Sequence, residues 1–213
     1  MLAILPIRSG SQRVKHKNIT LINGKALYTY IVEALKKVKQ IDKIIINTDY
    51  EIIHQTYRND QHIEVITRDE DLRGNCNMNI VIDRMLQFYD CEYYLQTHVT
   101  NPLLRSSTID SAIDNFLKFN DKYDSLFSVT KVQKRFWTAN YKPMNHNLID
   151  EPTTQNIEPY FEENSCIYIF SKKSFQIRKN RIGANPMLYE IPRNEALDID
   201  DQEDIKMVKR LME

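Results

Sequence analysis

The chain begins with an apolar run, Leu2-Ala3-Ile4-Leu5-Pro6-Ile7, that is continuous rather than alternating. A strand with one face in water alternates apolar and polar residues, whereas a continuous run is typical of a central strand buried on both faces. Such a strand needs helices on each side of its sheet. Residues 2–7 are therefore predicted to be the first, central strand of an α/β protein.

Apolar periodicities then alternate between helix and strand. Leu27, Ile31, Leu35 and Val38 form one helical stripe, and Ile44-Ile45-Ile46 predicts a strand that ends at Asn47-Thr48-Asp49. The pattern continues with helices at about 51–59 and 78–89 and strands at about 63–66, 93–96 and 125–132. A further helix carries Ile109, Ile113, Phe116 and Leu117. This order predicts a three-layer α/β/α fold with a mainly parallel, Rossmann-like sheet.

The rhythm breaks between about residues 131 and 164, where Pro143, Pro152 and Pro159 interrupt a polar stretch. An inserted arm or hairpin fits this segment better than another βα unit. Residues 166–170 resume the sheet, and Ile205, Val208 and Leu211 predict a closing helix. We therefore expect a single domain over residues 1–213 that carries an arm at about 131–164.

Lys and Arg total 29 residues and Asp and Glu also total 29, so no global field would attract nucleic acid or an anionic membrane. Cys76, Cys91 and Cys166 form no CxxC pair and are expected to be reduced packing residues. The apolar run at residues 2–7 is too short for a signal sequence. These features predict a cytoplasmic protein. Because its net charge is zero, any anion must be bound by local groups rather than attracted by the protein as a whole.

The loop after the first strand, residues 8–18, concentrates charge next to a Ser-Gly-Ser turn. Its cations or potential cations are Arg8, Arg13, Lys15, His16 and Lys17. Backbone N–H groups near a glycine can form an anion nest, so this loop suits a polyphosphate, although a solvated basic loop has the same composition. It matches neither GxGxxG nor GxxxxGK[ST], which argues against a dinucleotide fold and a P-loop.

Near the end of the chain, Asp198 and Asp200 stand two residues apart in Leu197-Asp198-Ile199-Asp200-Asp201. In an extended segment, side chains at i and i+2 project to the same side. Two carboxylates suit Mg²⁺, with Mn²⁺ as the alternative, when phosphate oxygens and water complete the shell. Taken alone, the cluster fits a helix N-cap better than a metal site, since Asp201 precedes the closing helix.

The loop resembles the signature of the CMP-sialic acid synthetases and related cytidylyltransferases, I-P-A-R-x-G-S-K-x-x-x-x-K-N. The matching residues are Arg8, Gly10, Ser11, Lys17 and Asn18. The resemblance implies a nucleotidyltransferase fold in which Arg8 and Lys17 hold the CTP phosphates and Asn18 lies near the nucleotide. Gln12 stands where the family often has lysine, and Arg13 is the expected substitute.

Other segments follow in the same order, so the resemblance covers nearly the whole chain. It assigns the reading of cytosine to Arg68, Asn77 and Asn79, although Asn77 alone would also serve as a helix N-cap. The family's I-D-I-D ending matches Leu197 to Asp200. On this resemblance Asp198 and Asp200 are the metal ligands.

The acceptor side is less regular. Gln96 matches the family's L-Q-P-T-S-P-L-R, with one residue inserted, and His98 there is expected to make a local hydrogen bond. The family's N-G-A-I-Y corresponds to Asn164-Ser165-Cys166-Ile167-Tyr168. Thr154-Gln155 replaces the family's Arg-Gln, which leaves Arg135 or Lys134 as substitute cations. The acceptor residues expected from the resemblance are Gln96, Arg135, Gln155 and Tyr168.

The implied reaction transfers CMP from CTP to the anomeric hydroxyl of a sialic or related nonulosonic or ulosonic acid, for surface glycan synthesis. Arg8, Lys17, Asp198 and Asp200 would carry the catalysis, and the arm would form a homodimer. Neither nucleic acid nor a membrane is an expected partner. Two alternatives stay open: a sugar-1-phosphate nucleotidylyltransferase, and a non-catalytic nucleotide-binding homologue suggested by Gln12, Thr154 and Ser165. No residue is identified as the general base.

Overall fold

The computed structural model describes residues 1–11, 13–74, 76–150 and 152–212. Gln12, where the resemblance expects lysine, lies outside these residues. The strands are β1 (Leu2–Ile7), β2 (Leu21–Ile22), β3 (Lys25–Ala26), β4 (Lys43–Thr48), β5 (Ile63–Thr67), β6 (Tyr93–Gln96), β7 (Ser125–Val132), β8 (Tyr160–Ser171) and β9 (Pro186–Glu190). The α-helices are α1 (Leu27–Lys36), α2 (Glu51–Tyr57), α3 (Met78–Leu86), α4 (Ser106–Lys118), α5 (Lys172–Arg178) and α6 (Gln202–Leu211).

The main sheet has seven strands in the order β5-β4-β1-β6-β8-β7-β9. β1 pairs in parallel with β4 on one side and β6 on the other. The strand β8 runs antiparallel to both of its neighbours, β6 and β7. The prediction of a mainly parallel sheet with β1 at its centre is therefore confirmed.

Helices cover both faces of the sheet, and alternate residues of β1 enter the two resulting cores. Ala3, Leu5 and Ile7 pack in one cluster with residues of α1, α2 and α4. Ile4 packs in the other cluster with residues of α3 and α5. This two-sided burial is the physical reason for the continuous apolar run, since neither face of β1 meets water.

Several elements differ from the sequence prediction. The helices α2 and α3 end two to three residues earlier than predicted, at Tyr57 and Leu86. The helix α5 and the edge strand β9 have no counterpart in the prediction, nor does the short β2-β3 hairpin. In α5 only Ser174 and Phe175 are buried, so its apolar signal is too weak to be detected from periodicity.

The predicted arm at 131–164 is shorter in the structure, because both of its ends belong to the sheet. Val132 of β7 still pairs with Tyr160 of β8, which leaves residues 133–159 as the irregular segment. Within it, Trp137 and Pro143 form an isolated bridge. The proline-punctuated segment is therefore an excursion from the tip of the β7-β8 ladder.

The β7-β8 ladder changes register between Phe127 and Val129, at a bulge in β8. A buried polar network fills the bulge: the Ser128 hydroxyl donates to Asn164 Oδ1 at 2.6 Å, and Asn164 Nδ2 donates to Thr130 Oγ1 at 3.0 Å. The next residue, Ser165, has φ 60°, in the left-handed region that favours glycine. This conformation gives a physical reason for the glycine in the N-G-A-I-Y pattern.

Among the residues that the structure describes, no helix combines the length and the apolarity needed to cross a membrane.

We predict that Ser165→Gly increases the free energy of unfolding by about 0.5–1 kcal/mol, because glycine adopts positive φ without the steric cost that serine carries. Chemical denaturation monitored by circular dichroism measures the change. Ser165→Ala is the matched control, since it removes the hydroxyl that contacts Tyr168 but keeps the Cβ. An equal gain in both variants would contradict the backbone explanation.

Candidate functional site

A cavity of about 590 Å³ opens at the carboxyl end of β1 and the loop that follows β6. The carboxyl edge of a parallel sheet is where ligands of open α/β folds bind. Eight residues assigned from the sequence line this one cavity: Arg8, Ser11, Lys17, Asn18, Arg68, Asn77, Asp198 and Asp200. Residues that are up to 192 positions apart in the chain are thus brought to a single site.

The loop after β1 is fixed to the end of β4. Ser9 donates twice to Asp49, from its backbone N–H at 2.7 Å and from its hydroxyl at 2.5 Å. Asn18 Nδ2 closes the other end of the loop by donating to the Arg8 carbonyl at 2.8 Å. Arg8 NH1 donates to the carbonyl of Gly74 at 2.5 Å. The loop is therefore held at both ends, with cationic groups between them.

Gly10 is exposed at the mouth of the loop, and a Cβ added there would come within 3.8 Å of the Gly74 backbone. It does not line the cavity, whereas its neighbour Ser11 does. At that distance a Cβ would make ordinary van der Waals contact, so the packing does not by itself require glycine at this position. Arg13, the expected substitute for lysine, points to the carboxylates instead, with NH1 3.0 Å from Asp200 Oδ2.

Lys17 links the loop to the C-terminal acidic segment. Its ammonium donates to the carbonyl of Ile199 and lies 3.4 Å from Asp200 Oδ1. Asp200 is thus flanked by two cations, Arg13 and Lys17. A phosphate entering the cavity would meet cations whose charge is already partly balanced by this carboxylate.

The helix-cap interpretation of the acidic cluster applies to Asp201, not to Asp198 or Asp200. Asp201 caps α6 by accepting from the backbone N–H groups of Glu203 and Asp204, at 2.8 and 3.1 Å. Asp204 completes a capping box and also accepts from the Asp200 N–H at 2.8 Å. The carboxylates of Asp198 and Asp200 take no part in the cap, so they remain turned toward the cavity.

Asp198 is open to solvent through the cleft, yet protein surrounds its carboxylate closely. This partial desolvation raises the pKa of Asp198, and the neighbouring Asp200 raises it further, while a hydrogen bond from Thr100 acts in the opposite direction. Two carboxylates in one cleft repel each other, so a cation between them would relieve the repulsion. Among the described residues, no set of three or more His, Cys, Asp or Glu could hold a metal ion. The donor set therefore fits Mg²⁺ that keeps water and phosphate ligands, and does not form a closed protein cage.

Two of the three residues assigned to the base, Arg68 and Asn77, line the same cavity as this acidic segment. Arg68 is almost fully buried, and its Nε donates to the Leu72 carbonyl at 2.8 Å. Asn77 is the N-cap of α3, because its Oδ1 accepts from the Asn79 N–H at 2.9 Å, and it also lines the cavity. Asn79 does not line the cavity, since its side chain accepts from the backbone N–H of Arg181 at 3.1 Å. Asn79 therefore supports the loop that carries Arg181.

Gln96 of β6 and Tyr168 of β8, the residues assigned to the acceptor from the sequence, are covered by Arg181, which the sequence did not identify. Gln96 and Tyr168 are each 0% exposed. The guanidinium of Arg181 stacks over the Tyr168 ring at 3.5 Å and donates to Gln96 Oε1. Arg181 follows α5 in a stretch without a recognisable motif, so only the tertiary contacts reveal it.

His98 joins this cluster to the cavity that it lines. Its Nε2 lies 3.2 Å from Gln96 Nε2 and 3.3 Å from Arg181 NH1. Because a guanidinium only donates, Nε2 is the unprotonated acceptor of the ring. Burial, followed by the charges of Arg181 and Lys17, lowers the pKa of His98 to about 3. A neutral imidazole that accepts locally agrees with the role expected from the sequence.

Arg135 and Gln155 lie in the arm, are exposed and do not line the cavity. Arg135 donates to the carbonyl of Pro152 at 2.8 Å, and the carbonyl of Gln155 accepts from Gln133 at 2.9 Å. Lys134 is also exposed in the arm. The structure of one chain does not bring Arg135, Gln155 or Lys134 to the cavity. Their assignment to the acceptor stays a prediction.

Comparison with known families and proteins supports the resemblance found in the sequence. A family model described as "Cytidylyltransferase" matches residues 2–213. An N-acylneuraminate cytidylyltransferase from Escherichia coli is 26% identical over 97% of this chain, and the chain spans about half, 51%, of that relative. A pseudaminic acid cytidylyltransferase from Campylobacter jejuni is 23% identical over 99% of this chain and 95% of its own length. The relationship to nonulosonate-activating proteins predicted from the motifs is thereby confirmed.

Solved structures share the fold. A CMP:2-keto-3-deoxy-manno-octonic acid synthetase in complex with CTP superposes with a TM-score of 0.71 at 14% identity, covering 99% of this chain and 97% of that one. A 4-diphosphocytidyl-2C-methyl-D-erythritol synthase from Anaerococcus prevotii gives 0.73 at 15% identity, with 99% and 95% coverage. At these identities the comparison shows the nucleotidyltransferase-like architecture alone.

We predict that acid destabilises the protein through His98. The pKa of about 3 in the folded protein lies below the ordinary histidine pKa of 6.5, so the unfolded chain binds the proton more readily and stability falls as the pH drops through 6.5 toward 3. Between pH 7 and pH 5 this one group accounts for at most about 2 kcal/mol. The measurement compares that loss in urea titrations of the native chain and His98→Gln, with the exposed His62→Gln as control. Parallel losses in all three proteins would refute it.

Proposed function

The chain belongs to the cytidylyltransferase family, and from that premise we propose that it transfers CMP from CTP to the anomeric hydroxyl of an acidic sugar and releases pyrophosphate. The observation that carries the proposal is the single cavity at the carboxyl edge of the sheet. It combines cations suited to polyphosphate, a buried arginine beside polar groups suited to a base, and two carboxylates. A nucleoside triphosphate with a divalent cation could engage all three groups at once.

In this mechanism Arg8 and Lys17 bind the triphosphate, because both line the cavity on the loop after β1. The acceptor hydroxyl attacks the α-phosphorus in line. A new bond forms between that oxygen and phosphorus as the bond to the bridging oxygen of pyrophosphate breaks, and the proton of the hydroxyl passes to solvent water. Charge moves onto the departing pyrophosphate, where fixed cations stabilise it without reorganising. Positioning and charge neutralisation then supply most of the rate increase.

Asp198 and Asp200 are the residues that would hold Mg²⁺, for which Mn²⁺ is the alternative. The ion, when bound, neutralises phosphate charge and lowers the pKa of a coordinated hydroxyl. Lys17 orients this segment from the other side, since its ammonium contacts the Ile199 carbonyl between the two carboxylates. Asp204 fixes the backbone of Asp200, because its carboxylate accepts from the Asp200 N–H. The two carboxylates are thus presented by a segment held on both sides.

The class of acceptor is proposed from the relatives, whose names include N-acylneuraminate, pseudaminic acid and diacetyllegionaminic acid. These names denote nine-carbon sugar acids, and we propose that this chain activates such an acid for surface glycan synthesis. The cytoplasm is the proposed location, since Cys76, Cys91 and Cys166 are all free thiols.

We predict that the protein releases pyrophosphate from CTP with at least one acid in a panel of nonulosonic and 3-deoxy-ulosonic acids, and that UTP at equal concentration competes weakly. Cytosine and uracil differ at the groups that Arg68 and Asn77 can contact, and an unpaired buried polar group penalises the wrong base. A coupled pyrophosphate assay measures both. Turnover with sugar 1-phosphates instead would favour the related nucleotidylyltransferases, and CTP binding without turnover would favour a non-catalytic homologue.

We predict that Asp200→Asn lowers kcat by about 10²–10³-fold at saturating Mg²⁺ while the melting temperature changes little. The carboxylate acts on charge that develops during the reaction, and its contacts with Arg13 and Lys17 are partly exposed ion pairs of small worth. Asp201→Asn is the matched control, since asparagine caps a helix about as well as aspartate. Near-normal turnover of the Asp200 variant would overturn the metal assignment.

We also predict a homodimer formed through the arm, because the arm leaves large apolar side chains in water. The most exposed are Trp137 (50%), Tyr141 (88%), Leu148 (55%) and Ile149 (88%). Sedimentation equilibrium of the native chain should give twice the monomer mass of 25.3 kDa. Replacing Tyr141 and Ile149 with serine should shift the equilibrium toward monomer. A native monomer at micromolar concentrations would contradict the prediction.

A further inference from the structure

Arg181 is the cation of the acceptor side that the motifs do not predict. It lies in the loop after α5, where its guanidinium contacts Gln96, His98 and the Tyr168 ring. We infer that Arg181 binds the carboxylate of the acceptor and makes the enzyme select an acidic sugar. This inference rests on the proposed function, because it assigns the acceptor within that same site.

Arg181 does not itself line the nucleotide cavity but lies one contact away from it. His98 lines the cavity, and Arg181 NH1 lies 3.3 Å from its Nε2. Arg181 is only partly buried, whereas Gln96 and Tyr168, which it contacts, are fully buried. A ligand that extends from the cavity past His98 would therefore reach the guanidinium.

The charge of Arg181 is incompletely balanced within the chain. Across residues 1–11, 13–74, 76–150 and 152–212, no carboxylate lies within 4.0 Å of its guanidinium. Glu163 acts on it through space, and the carboxylate of Glu163 is itself occupied by the Tyr168 hydroxyl at 2.5 Å. Burial lowers the pKa of Arg181, which reflects the cost of holding the cation partly out of water. A ligand carboxylate would offset that cost.

The geometry suits a carboxylate in particular. A guanidinium carries five N–H donors in a planar fork, and the contacts with Gln96 and His98 both use NH1. Donors therefore remain for a two-point pair with a carboxylate, which is stronger and more directional than a single hydrogen bond. The stacking on Tyr168 fixes the plane of the fork.

The loop that carries Arg181 is held rigidly. The Arg181 N–H donates to Asn79 Oδ1 at 3.1 Å. The N–H groups of Ala184 and Asn185 both donate to the carboxylate of Asp124, at 2.7 and 3.0 Å. Gly183 packs so closely that an added Cβ would come within 2.2 Å of the Asp124 side chain. A cation fixed in advance loses little conformational entropy when its partner binds.

Arg181 could also replace the arginine that the family carries at the position of Thr154. The resemblance places an arginine there, and its expected substitutes were Arg135 and Lys134, both of which lie exposed in the arm. Arg181 comes from a different segment but stands beside the cavity. The cation on the acceptor side is thus supplied by the loop after α5.

The test uses steady-state kinetics with the acidic sugar that gives the highest turnover with the native chain. Arg181→Gln should raise the KM for this sugar by about 10–100-fold, as expected for loss of a charge-assisted pair, and leave the KM for CTP within about threefold. Arg181→Lys, which keeps the charge but not the fork, should fall between. Arg178→Gln, an exposed arginine at the end of α5, is the matched control and should match the native chain.

A second arm of the test separates carboxylate binding from a purely structural role, and its deciding comparison uses the native chain alone. The carboxamide of the same sugar should be a poor acceptor for the native chain, by about 10–100-fold in kcat/KM, and Arg181→Gln should lose most of that preference. Equal use of acid and carboxamide by the native chain would overturn the inference and leave the proposed function standing. Absence of turnover with every acidic sugar would remove the proposed function and the inference together.

Discussion

The parallel pairing of β1 with both β4 and β6 is the constraint on which the site depends. Both edges of β1 are hydrogen-bonded and both of its faces are buried. The polar loop that follows the strand can therefore reach solvent only at the carboxyl edge of the sheet. The strands β4 and β6 end at the same edge and deliver Asp49 and Gln96 there. The loop with Arg8 and Lys17 is therefore directed to one place by backbone geometry before any side chain contributes.

At that edge, cationic side chains pair with carboxylates of the same chain, and a bound anion could take the place of the carboxylates. Asp200 lies between Arg13 and Lys17, while Asp198 faces the cleft with a raised pKa. A bound triphosphate would compete for the cations and release the carboxylates, which in turn favours a divalent ion between them. On the acceptor side of the site, the imidazole of His98 stays neutral. The positive charge there is that of the neighbouring Arg181 guanidinium.

The sequence predicted those features that arise from local pattern. The two-sided burial of β1, the helical stripe of α1 and the convergence of Arg8, Lys17 and Asp198 on one cavity all followed from runs, periods and motifs. The helix α5 was missed because it buries little more than Phe175, and β9 because a five-residue edge strand has only a weak alternation. Arg181 could not be predicted, since its importance comes from contacts with β6 and β8 that no spacing along the chain encodes.

The contact between Lys17 and the Ile199 carbonyl joins residues 182 positions apart. As the chain emerges from the ribosome, the loop after β1 appears well before the acidic segment and the helix α6 that Asp201 caps. Domains generally fold as units during synthesis, and contacts of such large separation form late. Nascent chains that have not yet reached Asp200 thus carry the loop without the carboxylates that share its cavity.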